Sequence, residues 1–127
     1  MTDVLIATDS DAVFDEVEAS LADESTTVVR VRAGSAVGGV VAGATPDLVI
    51  LDLQIGNMGG IAACLHLRHE AGEGRLPDVP ILMLLDRQAD VHLARRSDAD
   101  GWVVKPLDAL TLRRAATTIL EGTPRVA

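Results

Sequence analysis

Short apolar runs alternate with stretches of helical spacing along the whole chain. Val4-Leu5-Ile6-Ala7 closes on Thr8-Asp9-Ser10, after which Ala12, Val13, Val17 and Leu21 recur at helical intervals. This predicts a first strand ending at Asp9 and a helix over about 11–23, with Asp9 or Ser10 as its cap. The β-branched segment Thr26–Val31 reads as a second strand. Residues 34–44 have the length of a helix but include Gly34, Gly38, Gly39 and Gly43. Each interior glycine costs up to about 1 kcal/mol against alanine, so this helix should be weak, short or mobile.

Leu48-Val49-Ile50-Leu51 is apolar without alternation and is bounded by Pro46-Asp47 and a glycine-rich stretch. Such a run suits a strand buried on both faces, here over about 47–52. A helix over about 59–71 follows, with Ile61, Leu65 and Leu67 expected inward. Ile81–Leu85 predicts a fourth strand ending at Asp86, and residues 88–96 a short polar helix. Gly101–Val104 reads as a fifth strand ended by Lys105-Pro106. The last helix spans about 107–121, with Leu107, Leu110, Ala115, Ile119 and Leu120 at core spacing, and Gly122 and Pro124 stop it. The expected organisation is one domain over residues 1–122 with a tail at 123–127 that frays.

Strands and helices in regular alternation imply a parallel sheet with helices on both faces. In such sheets chemistry collects outside the carboxyl ends of the strands. Asp9, Asp52 and Lys105 all fall at strand ends, so two carboxylates and one ammonium converge on one edge. Each has a plainer reading beside the functional one. Asp52 could cap the following helix, and Lys105 could be an ion-pair partner of Asp52 that only holds the strands, although buried pairs stabilise poorly against apolar packing.

Composition narrows this further. The net charge of −8 argues against a nucleic-acid partner, which would need basic clusters. No apolar run approaches the roughly 20 residues of a membrane span, and no signal peptide is visible. The single cysteine, Cys64, fits a reducing cytoplasm and a small core position. His66, His69 and Glu70 read as a solvated helix face. Lys105 is the only lysine beside ten arginines. A lysine is a compact point charge on a flexible stem and is not interchangeable with arginine.

The segments Val4-Leu-Ile-Ala-Thr-Asp-Ser, Leu48-Val-Ile-Leu-Asp-Leu-Gln-Ile-Gly-Asn-Met-Gly-Gly, Pro80-Ile-Leu-Met-Leu-Leu and Trp102-Val-Val-Lys-Pro resemble, in order and spacing, the receiver domain of bacterial response regulators in two-component signalling. The resemblance covers essentially the whole chain. It implies a doubly wound, flavodoxin-like α/β fold with five parallel strands in the order 2-1-3-4-5. It implies that Asp52 accepts a phosphoryl group from a sensor histidine kinase or phosphotransfer protein. Asp9, Asp52 and the backbone carbonyl of Gln54 would hold Mg²⁺, Lys105 would offer a counter-charge to phosphate, and the Lys105-Pro106 bond would be cis.

The chain departs from the family pattern at the switch. Thr8 stands where a second acid is usual, so Mg²⁺ should bind weakly. Leu85 stands where a hydroxyl is usual, and Asp86 where a small residue leaves room for phosphate. Gly56 and Gly59 replace a proline and an acid, and Trp102 is larger than the usual aromatic. Asp86 could repel the phosphoryl group or replace the metal-supporting acid lost at Thr8. Two functional readings follow. One is a stand-alone, non-enzymatic phosphoacceptor that signals through a downstream protein partner, with homodimerisation through helix 4, strand 5 and helix 5 left open. The other is an atypical receiver acting as a phosphorylation-independent interaction module. A small hydrolase using Asp52 as nucleophile is the weakest, since no general base is evident.

Overall fold

The apolar run around Val49 becomes the middle strand of a five-stranded sheet. The computed structural model describes residues 1–122. Its strands are β1 (Thr2–Ala7), β2 (Thr26–Val31), β3 (Leu48–Asp52), β4 (Ile81–Leu85) and β5 (Gly101–Val104). Its helices are α1 (Asp11–Leu21), α2 (Val37–Ala44), α3 (Gly60–Gly72), α4 (Val91–Arg96) and α5 (Ala109–Glu121). Every strand pair is parallel, and the order is β2-β1-β3-β4-β5. This is the expected doubly wound sheet.

Alternation along the central strands divides the core into two layers. Leu5, Val49, Leu51, Ile81, Met83 and Leu85 pack with Val37 and Val41 of α2, Cys64 and Leu67 of α3, and Ala94 of α4. Val4, Ile6, Leu48, Ile50, Leu82 and Leu84 pack on the other face with Val17 of α1 and Leu112 and Ala116 of α5. Each fully buried aliphatic side chain contributes about 1.5–3 kcal/mol. The sheet is thereby a rigid platform whose strand ends are held in register.

Several expected details differ. The first strand ends at Ala7, and Asp9 lies two residues beyond it, exposed on the turn into α1. Ser10, not Asp9, caps α1 by accepting the Val13 N–H at 3.2 Å. Leu65, Leu110 and Leu120 point outward instead of into the core. The α3 stripe is Ala63, Cys64 and Leu67, and the α5 stripe is Leu112 and Ala116 flanked by Ala115 and Ile119. A half-turn ambiguity in which leucines face inward is inherent in helices with apolar residues on more than one side. The glycine-rich second helix is short, a 3₁₀ turn over Gly34–Ala36 followed by α2. The tail at 123–127 lies outside the described residues.

Two glycines are required where the β3–α3 loop meets its supports. A Cβ at Gly34 would lie 1.8 Å from the Met58 carbonyl oxygen, and one at Gly60 would lie 2.5 Å from that of Asp52. Backbone bonds from Ser35 N–H to the Asn57 carbonyl (2.9 Å) and from Gly60 N–H to the Leu53 carbonyl (3.2 Å) fasten the loop. At the opposite, amino edge of the sheet, Arg68 of α3 donates to Asp78, Asp100 and the carbonyls of Val79 and Asp98.

Candidate functional site

The carboxyl edge of the sheet gathers Thr8, Asp9, Asp52, Asp86 and Lys105. Asp52 is the last residue of β3 and only 1% exposed. A carboxylate so placed needs donors, and it has them on both oxygens. Its Oδ2 accepts the Thr8 hydroxyl at 2.7 Å. Its Oδ1 accepts the Lys105 ammonium at 2.7 Å and the Gln54 N–H at 3.2 Å. Thr8, fully buried after β1, also accepts the Ser10 N–H at 3.1 Å, which fixes the direction of its hydroxyl.

Lys105 follows β5, whose register is set by the Lys105 N–H to the Leu85 carbonyl at 2.8 Å. Its peptide bond to Pro106 is cis. Its ammonium reaches a second carboxylate, Asp86 Oδ1, at 3.0 Å. Burial alone would pull the Lys105 ammonium toward neutrality. Hydrogen bonds and charge from Asp52 and Asp86 outweigh that and hold its pKa above the ordinary lysine value. The second Asp86 oxygen, Oδ2, is buried without a hydrogen-bond partner among the described residues.

Asp9 lies on the same edge but makes no hydrogen bond or ion pair with the other four. Its Oδ2 accepts the Gly56 N–H at 3.1 Å, tying the start of α1 to the β3–α3 loop. Among the described residues, no three His, Cys, Asp or Glu side chains gather as a metal-holding group. The available donors are nevertheless hard oxygens from adjoining strands. Mg²⁺ is commonly held by one or two carboxylates with water and substrate phosphate, and the Asp9 and Asp52 carboxylates are donors of that kind. Leu85 is completely buried in the layer that also receives Trp102, and it offers no donor to the edge. The Arg95 guanidinium lies over the half-buried Trp102 ring, 5.2 Å from its centre.

Two contacts go beyond what the sequence pattern predicts. Thr8, which stands in the place of an acid, donates its hydroxyl directly to Asp52. Asp86, whose position bears on phosphate and metal, is also a partner of Lys105. A signal for both is present in the sequence, since each directly follows an apolar strand run, as Asp52 and Lys105 do on the neighbouring strands. Cys64 sits in the core between α3 and α4, with its thiol on the Ser97 carbonyl, and burial pushes that thiol's pKa up.

A doubly wound sheet with an acid ending its third strand and a lysine ending its fifth defines the class. The sequence pattern of the response regulator receiver domain matches residues 4–117, and this chain belongs to that family of signalling modules. Receiver domains interact with histidine kinases or phosphotransfer proteins and generally bind Mg²⁺ at their acidic pocket. The chain is 27% identical to the transcriptional regulatory protein AfsQ1 of Streptomyces coelicolor over 122 residues, 94% of this chain and 52% of that protein. It is 29% identical to the transcriptional regulator RpaA of Synechocystis over 128 residues, 99% and 52% of the two chains. It therefore spans about half the length of these curated relatives. Among solved structures, chemotaxis protein CheY4 of Vibrio cholerae matches with a TM-score of 0.80 at 25% identity, covering 94% of this chain and 98% of that one. The signal receiver domain of a histidine kinase from Syntrophus aciditrophicus matches with a TM-score of 0.83 at 25% identity, covering 100% and 96%.

Proposed function

We propose that this domain accepts a phosphoryl group on Asp52 in a two-component phosphorelay in the cytoplasm and signals through a downstream protein partner. The observation that carries the reading is Asp52 itself, a strand-end carboxylate hydrogen-bonded to the chain's only lysine at 2.7 Å. In the transfer, an Asp52 oxygen forms a new P–O bond while the P–N bond to a donor histidine breaks. The electron pair of that bond and a proton go to the imidazole, and an acyl phosphate remains. Asp9, Asp52 and the Gln54 carbonyl would hold Mg²⁺, which cancels charge between the carboxylate and the phosphoryl group. Lys105 supplies a point charge to the new anion. The exposed face of α4 and β5, with Trp102 and Arg95, is the surface proposed for the partner or a second copy of the chain.

The test is incubation with a small phosphodonor and Mg²⁺, read by intact mass. Wild type should gain one phosphoryl group, and Asp52→Asn should not. Calorimetric titration should show weak Mg²⁺ binding that Asp9→Ala weakens further. Unchanged affinity in that variant would remove Asp9 from the metal site.

A second reading, a phosphorylation-independent interaction module, is favoured by one specific feature. Thr8 and Asp86 give Asp52 and Lys105 hydrogen-bond partners without any phosphate. Partner binding unaffected by Asp52→Asn would support it.

A further inference from the structure

The Lys105 ammonium has three N–H donors, and two are directed at carboxylates, Asp52 Oδ1 at 2.7 Å and Asp86 Oδ1 at 3.0 Å. These two acids have different environments. Asp52 is nearly fully buried and also holds the Thr8 hydroxyl and the Gln54 N–H. Asp86 is 29% exposed and touches the ammonium through one oxygen, while its other oxygen is buried without a hydrogen-bond partner among the described residues. Asp86 is thus the less satisfied and more displaceable of the two. Its place follows from the strands. It is the residue after Leu85, whose carbonyl is bonded to the Lys105 N–H, so backbone pairing itself brings the acid beside the lysine stem. Leu85 has no donor, and Lys105 is the one cation paired with Asp52 among the described residues. An anion built onto Asp52 must therefore share an ammonium that already carries Asp86.

We propose that Asp86 is a resident anion on the phosphate-binding position of Lys105, one that an incoming phosphoryl group has to displace. The proposal rests on the reading of Lys105 as the phosphate counter-charge. Like charges held by one ammonium lie only a few ångströms apart, and in a partly desolvated site their repulsion is larger than in water. Asp86 then slows the gain of phosphate at Asp52 and sets a requirement that its carboxylate first turn away, toward the solvent it already partly meets.

The test uses the single lysine. With [¹⁵N]lysine, one side-chain Nζ resonance reports Lys105 alone. Wild type, Asp86→Asn, Asp86→Ala and Asp52→Asn are compared in Mg²⁺, with thermal melts to confirm folding. Asp86→Asn keeps the shape and removes the charge, so it covers the case in which Asp86→Ala perturbs the strand end. Titration with inorganic phosphate should shift the Lys105 signal saturably in both Asp86 variants and leave wild type nearly unmoved. Phosphoryl gain from phosphoramidate, followed by intact mass, should be on the order of 10-fold faster in the Asp86 variants, the scale of one close like charge in a screened site. Equal Lys105 responses to phosphate in wild type and both Asp86 variants would overturn the proposal, and so would phosphorylation of wild type and both Asp86 variants at equal, non-zero rates. If the Lys105 signal responds as expected but no variant gains phosphate at Asp52, the competition for Lys105 stands and the phosphoacceptor reading falls.

Discussion

Two cations sit at opposite edges of the same sheet, and their surroundings differ in kind. At the amino edge the Arg68 side chain is 9% exposed and uses four hydrogen bonds, to Asp78 (2.9 Å), Asp100 (2.6 Å) and the carbonyls of Val79 (2.7 Å) and Asp98 (2.9 Å). Asp100 in turn accepts the Ile81 N–H at 2.7 Å. At the carboxyl edge Lys105 is 22% exposed and is shared between two carboxylates, one of them with a buried oxygen that has no hydrogen-bond partner among the described residues. A guanidinium presents its donors in a fixed fork, which suits a closed structural network, whereas an ammonium on a flexible stem can exchange partners. The amino edge joins α3 to the approach of β4 and β5. The carboxyl edge holds charge in a form that chemistry can rearrange. Buried polar networks stabilise when every member is satisfied and become sites of change when one is not.

Arg68→Ala should be the most destabilising substitution at either edge. It removes the guanidinium that joins Asp78, Asp100 and the carbonyls of Val79 and Asp98, and the expected loss is about 3 kcal/mol in urea melts, the scale of one partner removed from a buried ion pair. Lys105→Ala should cost less, about 1 kcal/mol, because Asp52 keeps the Thr8 hydroxyl and the Gln54 N–H. Equal losses in the two variants would mean that Lys105 is as structural as Arg68.

Alkaline pH sharpens the contrast. The folded Lys105 has its pKa raised above 10.5 by Asp52 and Asp86, against the pull of burial. Its contribution to stability is therefore complete below the unfolded lysine pKa and is lost as pH rises through the higher folded value. Wild type should lose stability in this alkaline window, and Lys105→Ala should lose less over the same range.

The smallest expected effect concerns Trp102, the only tryptophan. Leu85 is fully buried and gives phosphate nothing to pull, and Arg95 lies over the indole. Inward rotation of so large a ring would overpack the site, typically at about 1–3 kcal/mol. Mg²⁺ with beryllofluoride should leave its fluorescence nearly unchanged, and Leu85→Thr should restore part of a response. A large saturable change in wild type, absent in Asp52→Asn, would show that phosphate and the β5 aromatic remain coupled.

The alternation of strands and helices is legible in the chain's pattern, because a run such as Leu48–Leu51 without polar interruption has few places to go except between two helical layers. That pattern also shows that Asp52 and Lys105 end strands, since each directly follows its apolar run. The tertiary structure alone decided which leucines face inward, as Leu65, Leu110 and Leu120 show: helical period locates a stripe but not which of two flanks the sheet covers. It alone decided the partners at the edge. Thr8 reaches Asp52 across neighbouring strands 44 positions apart, and Asp86 reaches Lys105 across 19. Strand order and register set those meetings, and hydrogen bonds between side chains depend on tenths of an ångström that no spacing along the chain encodes.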